Sequence, residues 1–395
     1  MLKWRRNLYT VWFTQLISLI GFGFGLPFLP FYIQELGITD PDTLKLWTGL
    51  LASIPALVFA AMAPVWGYLA DKVGKKLMLI RAMAGASVVL LGLGLAQSAG
   101  MVLVFRILQG VLSGTVTSSA ALVATGTPVK RLSFALGFLS SSTFIGYSLG
   151  PAAGGLIAER FGYRMSFFIG SGILLAGLFL VIFLIEEPAS AEKAEEDETA
   201  DLNTRGLKMI TPAILLLFLL YFFVRISRTL PSPFLPLFIQ EMRGTITGSA
   251  RLTGLISGGI GLAAAASGLT LSRLGDRMDR LKLLAALTGA GAVTSSIIIF
   301  VPAFSALVIS LLITFFLIGG IEPLLMSLTS ERVNSKNRGF LFGIQTMAGS
   351  FAWFVSPMMG SWVSITFGLR SVFFTFSVML VITFTTALLV RRKVV

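Results

Sequence analysis

The sequence predicts an all-α membrane protein: twelve transmembrane helices in two pseudo-symmetric six-helix bundles, with the N and C termini cytoplasmic. Three observations lead there. First, of 395 residues 55% are hydrophobic and only 12% charged, with a mean hydropathy of +0.88. Soluble chains carry about 25% charged residues, so a water-soluble domain is excluded, and so is a disordered chain. Second, the apolar residues gather into twelve segments, each long enough for the ~20 residues that cross ~30 Å of hydrocarbon. Third, the second half repeats the first at an offset of 206 residues.

The segments run Leu8–Ile33, Leu44–Ala70, Leu77–Gln97, Met101–Gly126, Ser133–Ala158 and Tyr163–Ile185, then Thr211–Ile239, Leu252–Leu274, Leu281–Val301, Phe304–Leu328, Phe340–Phe367 and Ser371–Val390. Met1–Asn7 offers no small-residue cleavage site, and the first apolar run is too long for a signal sequence. It reads as a retained helix. With both termini inside, cytoplasmic stretches hold 22 of the 31 basic residues, external ones hold six and three lie within segments, which is the positive-inside asymmetry. Residues 1–185 form the first bundle and 211–395 the second. Between them, 186–210 reads as a solvated acidic linker, poor in apolar residues from Glu192 to Asp201.

The chain has no cysteine and no histidine. Thiolate chemistry, disulfides, structural zinc and haem–His ligation are excluded, and no metal or other cofactor is expected. Without histidine, a proton used as coupling ion must ride on a carboxylate. The net charge of +13 does not indicate nucleic acid, because the basic residues punctuate apolar segments and form no stripe. An enzyme would need a nucleophile–base or metal cluster that the segments do not contain. The expected partners are the lipid bilayer and a small, amphipathic molecule; the chain reads as a monomer.

The repeat is dense. Pro27-Phe28-Leu29-Pro30 recurs as Pro233-Phe234-Leu235-Pro236, and Ile33-Gln34-Glu35 as Ile239-Gln240-Glu241. Pro151 and Gly154 match Pro357 and Gly360; Phe161-Gly162, Arg164 and Phe167-Phe168 match Phe367-Gly368, Arg370 and Phe373-Phe374. Two six-helix units with termini on one side suit a carrier that rocks one half against the other more than an open channel.

Three motifs carry a family resemblance. Gly67-Tyr68-Leu69-Ala70-Asp71-Lys72-Val73-Gly74-Lys75-Lys76 follows the second segment, and Gly275-Asp276-Arg277 is its degenerate second copy, with Asp279 where a glycine is expected. A tight turn takes glycines where the backbone is bent or crowded. Arg106-Ile107-Leu108-Gln109-Gly110 lies in the fourth segment; an arginine there must face protein or water, or snorkel to the nearby outer end. Gly146-Tyr147-Ser148-Leu149-Gly150-Pro151-Ala152-Ala153-Gly154-Gly155 lies in the fifth. Its small residues allow close helix approach and its proline bends the helix. These patterns, with the twelve-segment layout over nearly the whole chain, resemble the major facilitator superfamily, closest to the bacterial twelve-helix drug:proton antiporters. Pro27 to Pro30, followed by Tyr32 and Gly37, also resembles the multidrug exporters of that branch. The resemblance implies that fold, alternating access, a cavity lined by segments 1, 4, 7 and 10, and proton-driven export across the inner membrane of a bacterium. It makes Gly67, Asp71, Lys72, Gly74, Lys75, Asp276 and Arg277 a gating loop, and Gly146, Gly150, Pro151, Gly154 and Gly155 an antiporter motif. It gives Arg106 a part in proton coupling, alongside the alternative of a structural hydrogen-bonding role.

Arg225 and Arg228 lie near the middle of the seventh segment, three apart and so on roughly one face. Glu322 lies in the tenth and is the one carboxylate deep in a segment. Pairing across the cavity is the simplest reading, since each buried charge is costly alone. Glu322 is then either a proton site or a permanent ion-pair partner. Two central arginines attract carboxylates or phosphates, so the substrate class includes anionic or lipid-like molecules, exported or flipped. Gln15, Trp12, Phe22, Phe24, Tyr221 and Trp353 are the remaining polar and aromatic candidates for the cavity.

Overall fold

The computed structural model describes residues 3–128, 131–187, 212–275, 277–300, 303–331 and 338–394. Over these the regular structure is helical, and among the described residues nine stretches are long and apolar enough to cross a membrane. The first half gives α1 (Lys3–Gly25), α2 (Leu29–Glu35), α3 (Pro41–Val73), α4 (Lys75–Leu95), α5 (Ala99–Leu112), α6 (Thr115–Gly126), α7 (Leu132–Phe161) and α8 (Tyr163–Leu184). The second gives α9 (Pro212–Thr229), α10 (Leu235–Arg243), α11 (Ser249–Leu274), α12 (Arg280–Phe300), α13 (Phe304–Gly319), α14 (Ile321–Glu331), α15 (Arg338–Phe367) and α16 (Arg370–Val394). Of the twelve apolar segments, the three outside those nine stretches lie on α7, on α9 with α10, and on α15.

Four segments expected as continuous helices are broken. The first breaks at Leu26–Phe28, a 3-10 turn around Pro27, and the seventh breaks before Leu235 in the repeated Pro-Phe-Leu-Pro. Proline has no N–H to give the helix ladder, so each run ends and restarts. The fourth breaks at Ser113–Gly114, where Gly114 has φ +126°, a conformation only glycine adopts cheaply. The tenth breaks at Gly320. There Pro323 has no N–H for the Gly319 carbonyl, and restarting at Ile321 places the proline in a first turn, where it is tolerated. Gly114 and Gly320 are again 206 apart.

Side-chain caps mark two further helix starts. The Asp40 carboxylate accepts from Thr43 N at 2.8 Å ahead of Pro41, an N-cap that holds its acid below the usual carboxylate range through the Thr43 hydroxyl and amide. Ser98 caps α5 through Met101 N at 3.3 Å.

By contact the chain forms two compact units, Met1–Ala191 with Leu235–Leu262, and Glu192–Phe234 with Ala263–Val395. In the first unit α1 packs on α7 and α8, α4 on α8 and α3 on α5. Tyr32 and Phe167 sit at its core, ring centroids 5.2 Å apart, and Tyr32 Oη donates to Leu93 O and Ala96 O. Leu235–Leu262 joins this unit through α10, which meets α2, and through the start of α11, which meets α7. Gln34 and Gln240 exchange two side-chain bonds of 3.0 Å. In the second unit α12 packs on α16 and α13, and α9 packs on α15 and α16. Phe373, the repeat partner of Phe167, is again fully buried. Of the expected linker 186–210, residues 188–210 lie outside the described residues, as does Asp276.

Candidate functional site

Three side chains on α9 converge because of their spacing. Tyr221, Arg225 and Arg228 stand at i, i+4 and i+7, one face of a helix. Facing them is Glu322, in the first turn of α14. This differs from the sequence expectation of a carboxylate deep in one long helix: the break at Gly320 puts Glu322 at the positive end of a fresh helix, where a negative charge is favoured. The break is tightly held. Gly320 N donates to Ser267 Oγ at 2.7 Å, and a Cβ at Gly319 would lie 2.6 Å from Ala264 Cα.

Glu322 takes four donor contacts. Oε1 accepts from Tyr221 Oη at 3.0 Å and Arg225 Nη1 at 3.1 Å; Oε2 accepts from Arg225 Nη1 at 3.3 Å and Arg228 Nη1 at 2.5 Å. The side chains of Arg225, Arg228 and Glu322 are 28%, 22% and 18% exposed, so the cluster is sheltered yet accessible. On α15, Gly349 backs it: a Cβ there would fall 3.1 Å from Tyr221 Cε1 and 3.3 Å from Arg225 Nε. Nothing in the sequence singles out Gly349, and Tyr221 reads there as one of the polar and aromatic cavity candidates.

The first-segment candidates make contacts of their own. Trp12 Nε1 donates to Ser141 Oγ at 2.8 Å and its ring stacks on Phe138; Gln15 Nε2 donates to Thr143 Oγ1 at 2.8 Å. Both therefore tie α1 to α7 within the first unit. Phe22 is half-buried, Phe24 is buried and Trp353 is exposed on α15.

Arg106 is buried on α5 with neutral partners: Nε donates to Leu51 O at 2.7 Å and Nη1 to Gln109 Oε1. The Leu51 carbonyl is available because Pro55, four residues on within α3, has no N–H for it. Gly110 permits the approach, since a Cβ there would lie 2.8 Å from Pro55 O. The Arg-x-x-Gln-Gly pattern thus forms a pin between α3 and α5. Below it, Trp66 Nε1 donates to Val111 O at 2.7 Å and Arg81 Nη2 to Ser113 O at 3.0 Å, with the Arg81 guanidinium 3.8 Å over the Trp66 ring. These donors serve carbonyls freed by the break at Ser113–Gly114.

The expected loop is a single residue: Gly74 makes the turn at φ +99°, while Asp71, in the last turn of α3, pairs with Lys75 at the start of α4, and Lys72 Nζ lies 4.5 Å over the Tyr68 ring within α3. Gly67 is not part of that turn; it lies inside α3 with open space at its Cβ. Glu187, which sequence reasoning assigned to the linker, caps α4 instead, accepting from Lys75 N at 2.6 Å and Lys76 N at 2.8 Å. Beside it Glu186 pairs with Arg6 and Lys3, which hold its pKa below the ordinary carboxylate value, and its main chain bonds Asn7. In the degenerate copy Arg277 N bonds Leu274 O, and Asp279 caps α12 and meets Arg391 Nε at 3.3 Å.

The small residues of α7 serve two faces. Gly146, Gly150 and Gly154 press on α1; a Cβ at Gly154 would lie 2.5 Å from Phe24 Cα. Gly155 and Pro151 press on the start of α11, where a Cβ at Gly155 would lie 2.6 Å from Ala250 O. Ser148 Oγ donates to Gly258 O at 2.8 Å on that side.

The chain is 33% identical over 382 residues to multidrug resistance protein MdtG of Proteus mirabilis, covering 94% of this chain and 92% of that one. It is 32% identical over 378 residues to MdtG of Escherichia coli strain SMS-3-5, covering 94% and 91%. A bacterial homologue of the human lysosomal transporter Spinster superposes with a TM-score of 0.79 at 16% identity, over 98% of this chain and 96% of that one. The family profile of the Major Facilitator Superfamily matches residues 11–217 and again 217–394. The chain belongs to the Major Facilitator Superfamily, as a multi-pass membrane transporter and not an enzyme.

Proposed function

We propose that this transporter is a proton-coupled exporter of amphipathic small molecules, of the multidrug efflux type, working by alternating access. In this reading it crosses the membrane twelve times as two six-helix bundles, 1–185 and 211–395. Both termini and the linker 186–210 are cytoplasmic, and the unit of function is a monomer. The observation that carries the reading is Glu322 held by Tyr221, Arg225 and Arg228. A carboxylate so placed can trade its arginine partners for a proton, and the trade changes the charge and hydrogen bonding of the whole cluster. The relatives' printed name, multidrug resistance protein, supports efflux of varied compounds.

A second reading has its own observation. The cluster holds two guanidiniums against one carboxylate, a surplus of one positive charge that suits anionic or lipid-like substrates. Reconstitution into liposomes under an imposed pH gradient tests both. Gradient-driven flux of cationic, anionic and lipid-like compounds is compared between wild type and Glu322→Gln. Loss of gradient-driven movement with retained substrate binding supports the proton role, and full activity of the variant ends it. Saturation of the flux separates a carrier from a channel.

A further inference from the structure

The arrangement around Glu322 also fixes the sign of coupling for one substrate class. We propose that Arg225 and Arg228 form a seat for an oxyanion of the substrate, with Glu322 as the seat's resident counter-anion, so that anion binding and protonation of Glu322 favour each other. The proposal rests on the reading that this cluster lies on the substrate path.

Both guanidiniums point their Nη1 atoms at the one carboxylate, Arg225 at 3.1 and 3.3 Å and Arg228 at 2.5 Å. The same N–H groups can be offered to a sulfonate, phosphate or second carboxylate. The seat is reachable, since all three side chains keep 18–28% of their surface. Gly349 walls the Tyr221 and Arg225 side with backbone, which limits how far Arg225 can retreat. Among the described residues the charges acting on Glu322 are Arg225 and Arg228, with Tyr221 as a neutral donor. The neighbouring α12 brings Arg280 and Lys282 only at its first turn, with Arg280 bonded to Gly275 O; α15 carries no ionisable group from Gln345 to Phe367.

While Glu322 is ionised, an incoming anion must compete with it for the arginines and faces its negative charge. When Glu322 takes a proton from solvent, the arginines keep theirs and turn their N–H groups to the ligand, and the new carboxyl O–H becomes one more donor. Linkage is reciprocal: whatever factor protonation adds to anion affinity, the anion adds to proton affinity. An anion and a proton then travel the same way through this site, the reverse of exchange.

The test uses the purified full chain in lipid nanodiscs and naphthalene-2-sulfonate, whose sulfonate stays ionised throughout. Calorimetric titration in two buffers of different ionisation enthalpy counts protons. Wild type should bind about tenfold or more tightly as pH falls from 8 to 5, within the ~5–150-fold span of ordinary site coupling, and take up as much as one proton per probe. Glu322→Gln should bind tightly at every pH with no proton uptake, and Arg228→Gln should lose most affinity. Proton release, binding without uptake, or absence of sulfonate binding in wild type overturns the inference, and the proton count needs no variant. Gradient-driven flux of an uncharged amphiphile, measured on the same proteins, separates the two readings. If Glu322→Gln abolishes that flux while the sulfonate shows no linkage, the exporter reading stands and this inference falls; if flux is intact and linkage absent, both fall.

Discussion

The two sequence repeats share their helix breaks and differ in their chemistry. Gly114 and Gly320 interrupt corresponding segments, and so do the two Pro-Phe-Leu-Pro runs. Yet at the positions 206 residues before Tyr221, Arg225, Arg228 and Glu322 stand Gln15, Leu19, Phe22 and Val116. Where the second half gathers three charges and a phenol, the first holds one amide among apolar side chains. Its own buried charge, Arg106, corresponds to Leu312 and bonds neutral oxygens. Breaks are therefore a property of the duplicated scaffold, whereas charge at the breaks belongs to one copy. A short restarted helix can present a carboxylate to a neighbouring arginine, and only one half uses it so.

The largest expected effect tests that charge balance. Glu322→Gln leaves two guanidiniums facing each other, and should cost about 3–5 kcal/mol of stability by thermal unfolding in detergent. Arg228→Gln leaves a balanced pair and should cost less. Combining the two should recover part of the loss; additive losses would contradict mutual compensation.

Next come the matched glycines. Gly154→Ala drives a methyl against the Phe24 main chain, whereas a Cβ at Gly360 meets the Phe234 ring at 2.4 Å. Overpacking costs about 1–3 kcal/mol, and we expect Gly154→Ala near the top of that range. A backbone cannot swing aside, and a ring can, so Gly360→Ala should be milder. Equal melting temperatures would erase this distinction between the halves.

Arg106→Met strips the Leu51 carbonyl of its partner and should cost about 1–3 kcal/mol. Pro55→Ala restores an N–H four residues along and should suppress that cost. If instead Pro55→Ala leaves the loss unchanged while proton-driven flux disappears, Arg106 acts in coupling rather than as a pin.

The smallest effect lies at the clasp of Glu186 with Lys3 and Arg6. Its acid is stronger in the folded chain than in the unfolded one. The contribution is complete above the ordinary carboxylate pKa and fades as pH falls through the lower folded value. Corrected for the intrinsic pH dependence of exchange, the protection of the Asn7 and Glu186 amides should fall in that acid range and stay level above pH 6; Glu186→Gln should remove the change.

Much of this was legible in the residues. Hydropathy and charge spacing place the helical segments, and the repeat is visible in Pro-Phe-Leu-Pro and in Phe167 and Phe373, both of which are core. The seventh-segment arginines and Glu322 were recognisable as partners because neither charge is tolerable alone in an apolar run. The breaks were not read, although Gly319-Gly320 with Pro323 carried the signal, because an average over twenty apolar residues hides a two-residue interruption. Nor could one sequence show that Pro55 frees a carbonyl for Arg106, or that Glu187 folds back onto α4. Those contacts join residues far apart in the chain, and only the packing of the helices brings them within reach.

The amide pair of Gln34 and Gln240 has a consequence of its own. Neither partner ionises, so acid, ionic strength and membrane voltage leave it as strong as before. Parting α2 from α10 breaks two neutral bonds, each worth net about 0.5–1.5 kcal/mol. This junction is electrically silent: a force that parted it would have to arrive mechanically, through helices whose charges lie somewhere else.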